Sequence, residues 1–358
     1  MSANFVNWKN VFTEKNNSIE IMKTWISQIL NSKERTALLI MTHPGIEIIG
    51  KTVKDAVTDG EIHYEAIKAV SDTYHTSACT VIMDLTVEAE AFGAQITIPD
   101  NEVPSVTGRL VNGPESVEAL QIPDLTAGRI PEYLLANRLA AENIKDKPVF
   151  AGCIGPYSLA GRLYEMSEIM VAIYIDSETV LNLLSKCTQF LINYCKALKA
   201  TGANGVILAE PAAGLLSNED CLTYSTVFVK KIVEEVQDDD FTIILHNCGN
   251  TGHCTDAMIA SGAHALHFGN KIDMVQVLKD CPSGLIVMGN IDPVSVFKQG
   301  DENMVTSITC DLLEKTESFN NFVISSGCDI PPHIPEKNIQ AFFESVKNYN
   351  LREVKGSS

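Results

Sequence analysis

The residues best suited to chemistry stand in "LHNCGN" (245–250), where His246 and Cys248 lie two apart after the apolar run "FTIIL". On an extended segment that spacing sends both side chains to the same side. A second thiol in similar company is Cys328, in "ISSGCDIPP", which also follows a short apolar run. One imidazole and two thiolates form an N, S, S set that favours Zn²⁺ over Mg²⁺ or Ca²⁺. Three protein ligands leave one tetrahedral position open, which is the catalytic pattern; a structural zinc would show paired C-x-x-C knuckles, and the chain has none. Two thiolates cancel the charge of the metal and make it a modest Lewis acid for carbonyls. Such a site suits a third sulfur, because coordination deprotonates a thiol near neutral pH. The chemistry expected is alkyl transfer to a thiol rather than activation of water.

Those three residues need a scaffold that joins distant strand ends. Eight short β-rich apolar runs recur along the chain, each ending in small, polar or acidic residues and followed by a helical pattern. They cover 36–44, 79–85, 147–153, 204–210, 241–247, 264–270, 284–290 and 321–327. Near-continuous apolar strands separated by helices indicate a parallel sheet covered on both faces, and eight such units indicate a (β/α)8 TIM barrel. Segments 178–198 and 222–236 carry apolar residues at three- and four-residue spacing, as amphipathic helices require. A doubly wound sheet is the competing topology, but "THPGIEIIGKTV" after the first run lacks the G-x-G-x-x-G of a dinucleotide site. Two additions decorate the barrel: residues 1–35, with helices in "NWKNVF" and "SIEIMKTWISQIL", and an insertion over 88–147 with short strands in "AQITIPDNEVPSVTGRL". Both read as parts of one domain spanning 1–358.

In such a barrel the chemistry sits at the C-terminal ends of the strands. Those ends offer His43, Asp84, Cys153, Glu210, His246 with Cys248, Asn270, Asn290 with Asp292, and Cys328 with Asp329. Glu210, in "LAEPAAG", is a candidate fourth ligand, displaced when substrate arrives. His253 and Cys254 in "NTGHCTDAMI" compete as ligands, although they fall at the start of the next helix. His264 reads as structural and His267 as lining the barrel interior; Cys153 has no partner in the sequence and reads as packing.

The formal charge of −18, from 27 basic and 45 acidic side chains, repels phosphate backbones and argues against nucleic-acid binding. It suits plain solubility, or docking to a partner with a basic patch. The N-terminus has no apolar signal region, and no apolar run is long enough to span a membrane. A cytoplasmic location with reduced thiols is expected, with Cys187, Cys195, Cys221 and Cys310 as buried packing residues in helices.

Four stretches carry a family resemblance: "DLTVEAEAFGAQI" (84–96), "GCIGPYSLAGRLYE" (152–165), "HNCGNTG" (246–252) and "SSGCDIPP" (325–332). Together the chain resembles the uroporphyrinogen decarboxylase superfamily, in its branch of methylcobamide:coenzyme M methyltransferases. The resemblance implies a (β/α)8 fold and zinc on His246, Cys248 and Cys328. It also implies transfer of a methyl group from a methylated corrinoid (methylcobamide) to a thiol such as coenzyme M. The corrinoid is expected on a separate corrinoid protein: the D-x-H-x-x-G loop of cobalamin carriers is missing, and "DGEIHYE" (59–65) has the wrong spacing. Asp84, taken as a catalytic residue alongside Glu210, and Glu88 are expected to shape the barrel mouth or orient a ligand. Plain helix packing is the alternative for Glu88 and Glu90. His43 and Asn290 are candidate cofactor contacts, and Arg162 is the candidate for the sulfonate of the acceptor. No arginine lies between Arg35 and Arg109, which argues against the many carboxylates of a porphyrinogen. Two readings stay open beside this one: a different or methylated thiol as substrate, and a non-catalytic zinc-bound scaffold for a corrinoid partner.

Overall fold

The computed structural model describes residues 8–356. Its strands are β1 (Thr36–Ala37), β2 (Cys79–Thr80), β3 (Gln95–Thr97), β4 (Ser105–Thr107), β5 (Val149–Ile154), β6 (Gly205–Ala209), β7 (Thr242–Asn247), β8 (Ala265–Phe268), β9 (Ile286–Ile291) and β10 (Phe322–Ser326). Eight of them form one parallel sheet in the order β1-β10-β9-β8-β7-β6-β5-β2. The two ends of that order meet: Ser77 N–H donates to the Ala37 carbonyl at 3.0 Å, and the Thr42 hydroxyl to the Thr80 carbonyl at 2.9 Å. The sheet therefore curls into the expected (β/α)8 barrel, with helices outside it.

The first two predicted strands are shortened to two-residue ladders. After β1 the Met41 N–H is taken by the Thr80 side chain, and Pro44, which lacks an N–H, starts a helix over His43–Ile48. The antiparallel hairpin β3–β4 provides the short strands expected between the second and third barrel strands. The same interval also holds helices Val87–Ala91, Pro114–Ala119 and Ile130–Asn143.

Strand side chains alternate between two environments. Val206, Leu208, Ile243, Leu245, Leu266, Val287, Phe322 and Ile324 pack against the helices. Ile207, Ile244, Ala265, Ile286 and Val323 instead cluster with Met22, Trp25 and Ile29. Those three belong to a helix over Trp8–Asn31, which plugs one end of the barrel, and the Trp25 ring meets Phe150 edge-on at 5.3 Å. One continuous helix thus replaces the two expected near the N-terminus; Asn7, which begins the first predicted segment, lies outside the described residues. Each large apolar side chain sealed there contributes roughly 1.5–3 kcal/mol.

One step further along the same inward rows the chemistry changes. Two residues beyond Ile244 is His246, two beyond Ala265 is His267, and two beyond Val323 is Ser325. The barrel is apolar where the N-terminal helix seals it and polar toward the strand C-termini. Among the described residues no helix is long and apolar enough to cross a membrane. All ten cysteines are free; Cys187, Cys195 and Cys221 are buried as expected, whereas Cys310 is half-exposed.

Candidate metal centre

His246 ends in the barrel interior on β7, Cys248 follows directly after that strand, and Cys328 follows β10. Their ligand atoms all lie within 4.8 Å of one another, with His246 Nε2 and Cys328 Sγ 3.7 Å apart. The closeness of the Cys248 and Cys328 thiols lowers the pKa of Cys248 and, with burial, pushes that of Cys328 up to about 12. These three side chains can hold a metal ion.

The loop that carries Cys248 is shaped by its own polar residues. The Asn247 side-chain oxygen accepts from the Gly249 and Asn250 N–H groups, both at 3.0 Å. The Asn250 side chain in turn accepts from Gly252 N–H at 2.8 Å and Cys254 N–H at 3.0 Å. Two glycines are required by close backbone approach: a Cβ on Gly249 would lie 2.5 Å from the Pro211 carbonyl, and one on Gly269 would lie 2.7 Å from the Cys248 Cα. The competing pair is committed elsewhere, since His253 Nε2 sits 3.0 Å from the Leu216 carbonyl and Cys254 donates to the same oxygen at 3.4 Å. His264 is exposed, with its N–H on the Gln237 side chain.

Behind the trio stands a polar row. His246 Nδ1 is 2.8 Å from His267 Nδ1, and His267 Nε2 is 3.0 Å from the Ser325 hydroxyl. The β7–β8 register pairs the two histidines directly. Burial holds the His267 pKa well below that of a free imidazole, with nearby His246 acting in the same direction, so its ring is neutral. Its position on an inward row was visible in the sequence; its partnership with His246 depends on register.

Glu210 is bonded through its backbone to the His246 carbonyl at 2.8 Å, but its carboxyl is not among the clustered ligand atoms. It follows β6 and points at the start of the helix Pro156–Tyr164, accepting from Ser158 N–H at 2.5 Å and Tyr157 N–H at 3.0 Å. Those unpaired amides and the positive end of the helix attract a carboxylate. Burial still raises its pKa to about 7 against these donors. In this conformation the expected fourth ligand, Glu210, is not in the ligand cluster.

Asp84 is likewise occupied. It accepts from the Thr86 N–H at 3.0 Å, the Thr86 hydroxyl at 2.6 Å and the Tyr133 hydroxyl at 3.1 Å, and it forms a buried ion pair with Arg129. Arg129, which also pairs with Glu90 at 2.6 Å, was not singled out in the sequence, because nothing there shows which carboxylate it meets. Glu88 is buried with its Oε1 on the Ile154 N–H, and burial lifts its pKa to about 7. Asn290, the candidate cofactor contact, spends its amide N–H groups on the Gly269 and Ile272 carbonyls, at 2.9 and 2.8 Å, and ties the β8–β9 connection together. His43 is buried, with Nε2 3.8 Å from Asp329 and a pKa that burial lowers to about 4. It is thus beside the residue that follows Cys328.

Arg162, on the helix Pro156–Tyr164, lines a cleft of about 400 Å³ with Leu85, Ile154, Met166, Pro211 and Leu215. Its guanidinium is half-buried and makes no ion pair or hydrogen bond among the described residues. Arg35 instead holds the Thr316, Glu317 and Phe319 carbonyls, and Arg109 pairs with Glu168 at 3.4 Å.

Comparison with known proteins places this architecture. The uroporphyrinogen decarboxylase (URO-D) family matches residues 35–349. A methylcobamide:CoM methyltransferase, MtbA, of Methanosarcina acetivorans is 30% identical over 299 residues, covering 81% of this chain and 86% of that one. A uroporphyrinogen decarboxylase of Prochlorococcus marinus is 27% identical over 266 residues, covering 70% of this chain and 74% of that one. Among solved structures, a methyltransferase from Methanosarcina mazei superposes with a TM-score of 0.83 at 22% identity, covering 92% of this chain and 99% of that one. The chain belongs to the uroporphyrinogen decarboxylase family, in the branch that contains the methylcobamide:CoM methyltransferases.

Proposed function

We propose that this methyltransferase moves a methyl group from a methylated corrinoid, carried by a separate corrinoid protein, to a small thiol of the coenzyme M kind, with zinc on His246, Cys248 and Cys328. The observation that carries the reading is the convergence of one imidazole and two thiols from the ends of β7 and β10. A tetrahedral zinc with bonds of about 2.3 Å to sulfur and about 2.05 Å to nitrogen separates those atoms by about 3.6 Å. The 3.7 Å between His246 Nε2 and Cys328 Sγ suits that spacing. Relatives named for methylcobamide:CoM methyl transfer add support. Arginine usage weighs against porphyrinogen carboxylates, because Arg35, Arg109 and Arg129 are already committed.

Bound zinc would supply a cation that lowers the pKa of an incoming thiol to near neutral. The chain's two thiolates would leave the acceptor sulfur electron-rich, and the corrinoid protein would dock at the C-terminal face of the barrel, where the ligands converge. Arg162 takes the anionic end of the acceptor in the cleft and orients it. The sulfur forms its bond to the methyl carbon as the cobalt–carbon bond breaks. That electron pair stays on cobalt, and the thiol proton goes to solvent. A cytoplasmic setting, where thiols stay reduced, goes with ten free cysteines.

The test is metal content together with demethylation of methylcobalamin by added thiols, followed by cob(I)alamin absorbance. One zinc per chain with thiol-dependent turnover is expected, and both should be lost in Cys328→Ala. Zinc-free wild-type protein, or undiminished turnover in Cys328→Ala, sinks the proposal. Zinc without turnover on any thiol supports the scaffold reading instead.

A further inference from the structure

The two imidazoles on β7 and β8 present their Nδ1 atoms to each other at 2.8 Å, with ring planes 68° apart. At that distance one nitrogen carries a proton and the other offers a lone pair. Two arrangements satisfy the row. In the first, His246 donates from Nδ1, His267 accepts, and His267 Nε2–H donates to the Ser325 hydroxyl 3.0 Å away. In the second every donor and acceptor is reversed, and the His246 proton sits on Nε2, toward Cys328. Only the first leaves a lone pair on Nε2 for a metal.

From this geometry we infer that His267 and Ser325 are positioning residues for His246, holding its ring in the tautomer whose Nε2 faces the metal. The inference rests on the metal reading above and adds the partner that orients its histidine ligand. Metal-bound histidines commonly donate their other N–H to a carboxylate, a backbone carbonyl or water, and loss of that acceptor weakens binding about 10–100-fold. Here the acceptor is a second neutral imidazole. It brings no further negative charge, so the charge of the ligand set is fixed by the two thiolates. The row is sealed from solvent, since His246, His267 and Ser325 are all buried, and water is excluded from competing for the His246 N–H. The serine at its end accepts the His267 Nε2–H of that arrangement and so completes the row.

Three variants separate positioning from packing. In His267→Asn an amide oxygen replaces Nδ1 as acceptor; His267→Leu keeps bulk and removes both nitrogens; Ser325→Ala removes the far end. Zinc affinity is read by chelator competition on stripped and reloaded protein. His267→Leu should bind zinc about 10–100-fold more weakly, Ser325→Ala should weaken binding by less than His267→Leu, and His267→Asn should stay within a few-fold of wild type. A long-range ¹H–¹⁵N spectrum of zinc-loaded wild-type protein should show His246 protonated at Nδ1, whether or not a variant folds. Wild-type zinc affinity in His267→Leu, or an unprotonated His246 Nδ1 in the zinc-loaded protein, overturns the inference and leaves the metal reading standing. Wild-type protein that binds no zinc overturns both.

Discussion

Glu210→Gln separates a role at a helix end from a role at the metal. The wild-type carboxyl is 1% exposed and accepts two N–H groups, yet burial raises its pKa from 4.5 to about 7. At about 1.4 kcal/mol per pH unit, that gap makes the ionised form cost the fold about 3 kcal/mol. The folded pKa lies above the unfolded one. The stability contributed by the protonated carboxyl is therefore full below pH 4.5 and is lost as pH rises through 7. Glutamine does not titrate, and its NH₂ would face one helix N–H at a pH-independent cost of about 1 kcal/mol. Urea unfolding of both proteins from pH 4.5 to 8, in chelator, should show their difference moving toward the variant by about 3 kcal/mol. Burial also lowers the pKa values of His43 and His63, to about 4 and about 3, but both titrate alike in the two proteins and cancel. Zinc content should stay at the wild-type level, because Glu210 lies outside the ligand cluster. A difference that is flat with pH, or zinc lost from the variant, would refute the reasoning.

Two further outcomes follow from the charged residues around the barrel mouth. Arg129→Met strands Asp84 in a buried site and should cost about 3–5 kcal/mol in urea unfolding, with Asp84→Asn in the same chain recovering part of it; a loss below about 1 kcal/mol would contradict the ion-pair assignment. Arg162→Gln should raise KM for a sulfonated thiol about 10-fold or more, at little change in kcat, and leave 2-mercaptoethanol unaffected. Equal effects on both thiols would rule out anion recognition by Arg162.

Much of the candidate site was legible because its parts obey local rules. The H-x-C spacing at a strand end kept His246 and Cys248 close in the chain, and the turn after β7 brings both to the cluster. The eight apolar runs identified the barrel, and the barrel brings Cys328 to His246. Position at a strand end was a weaker guide to role. Glu210, Asp84 and Asn290 all occupy such ends, yet a helix N-terminus, an arginine capping a later helix and two loop carbonyls pair with them.

What the sequence by itself determined is the periodic pattern: which residues face inward, where each strand turns polar, and which side chains can ligate a soft metal. Only the tertiary structure decided the pairings. Register set His267 against His246, the N-terminal helix sealed the apolar end, and Arg129 came to Asp84 across a separation of 45 residues. The physical reason is that periodicity is a property of neighbouring residues. A buried charge or imidazole is satisfied by whichever partner the packed fold brings within hydrogen-bonding distance.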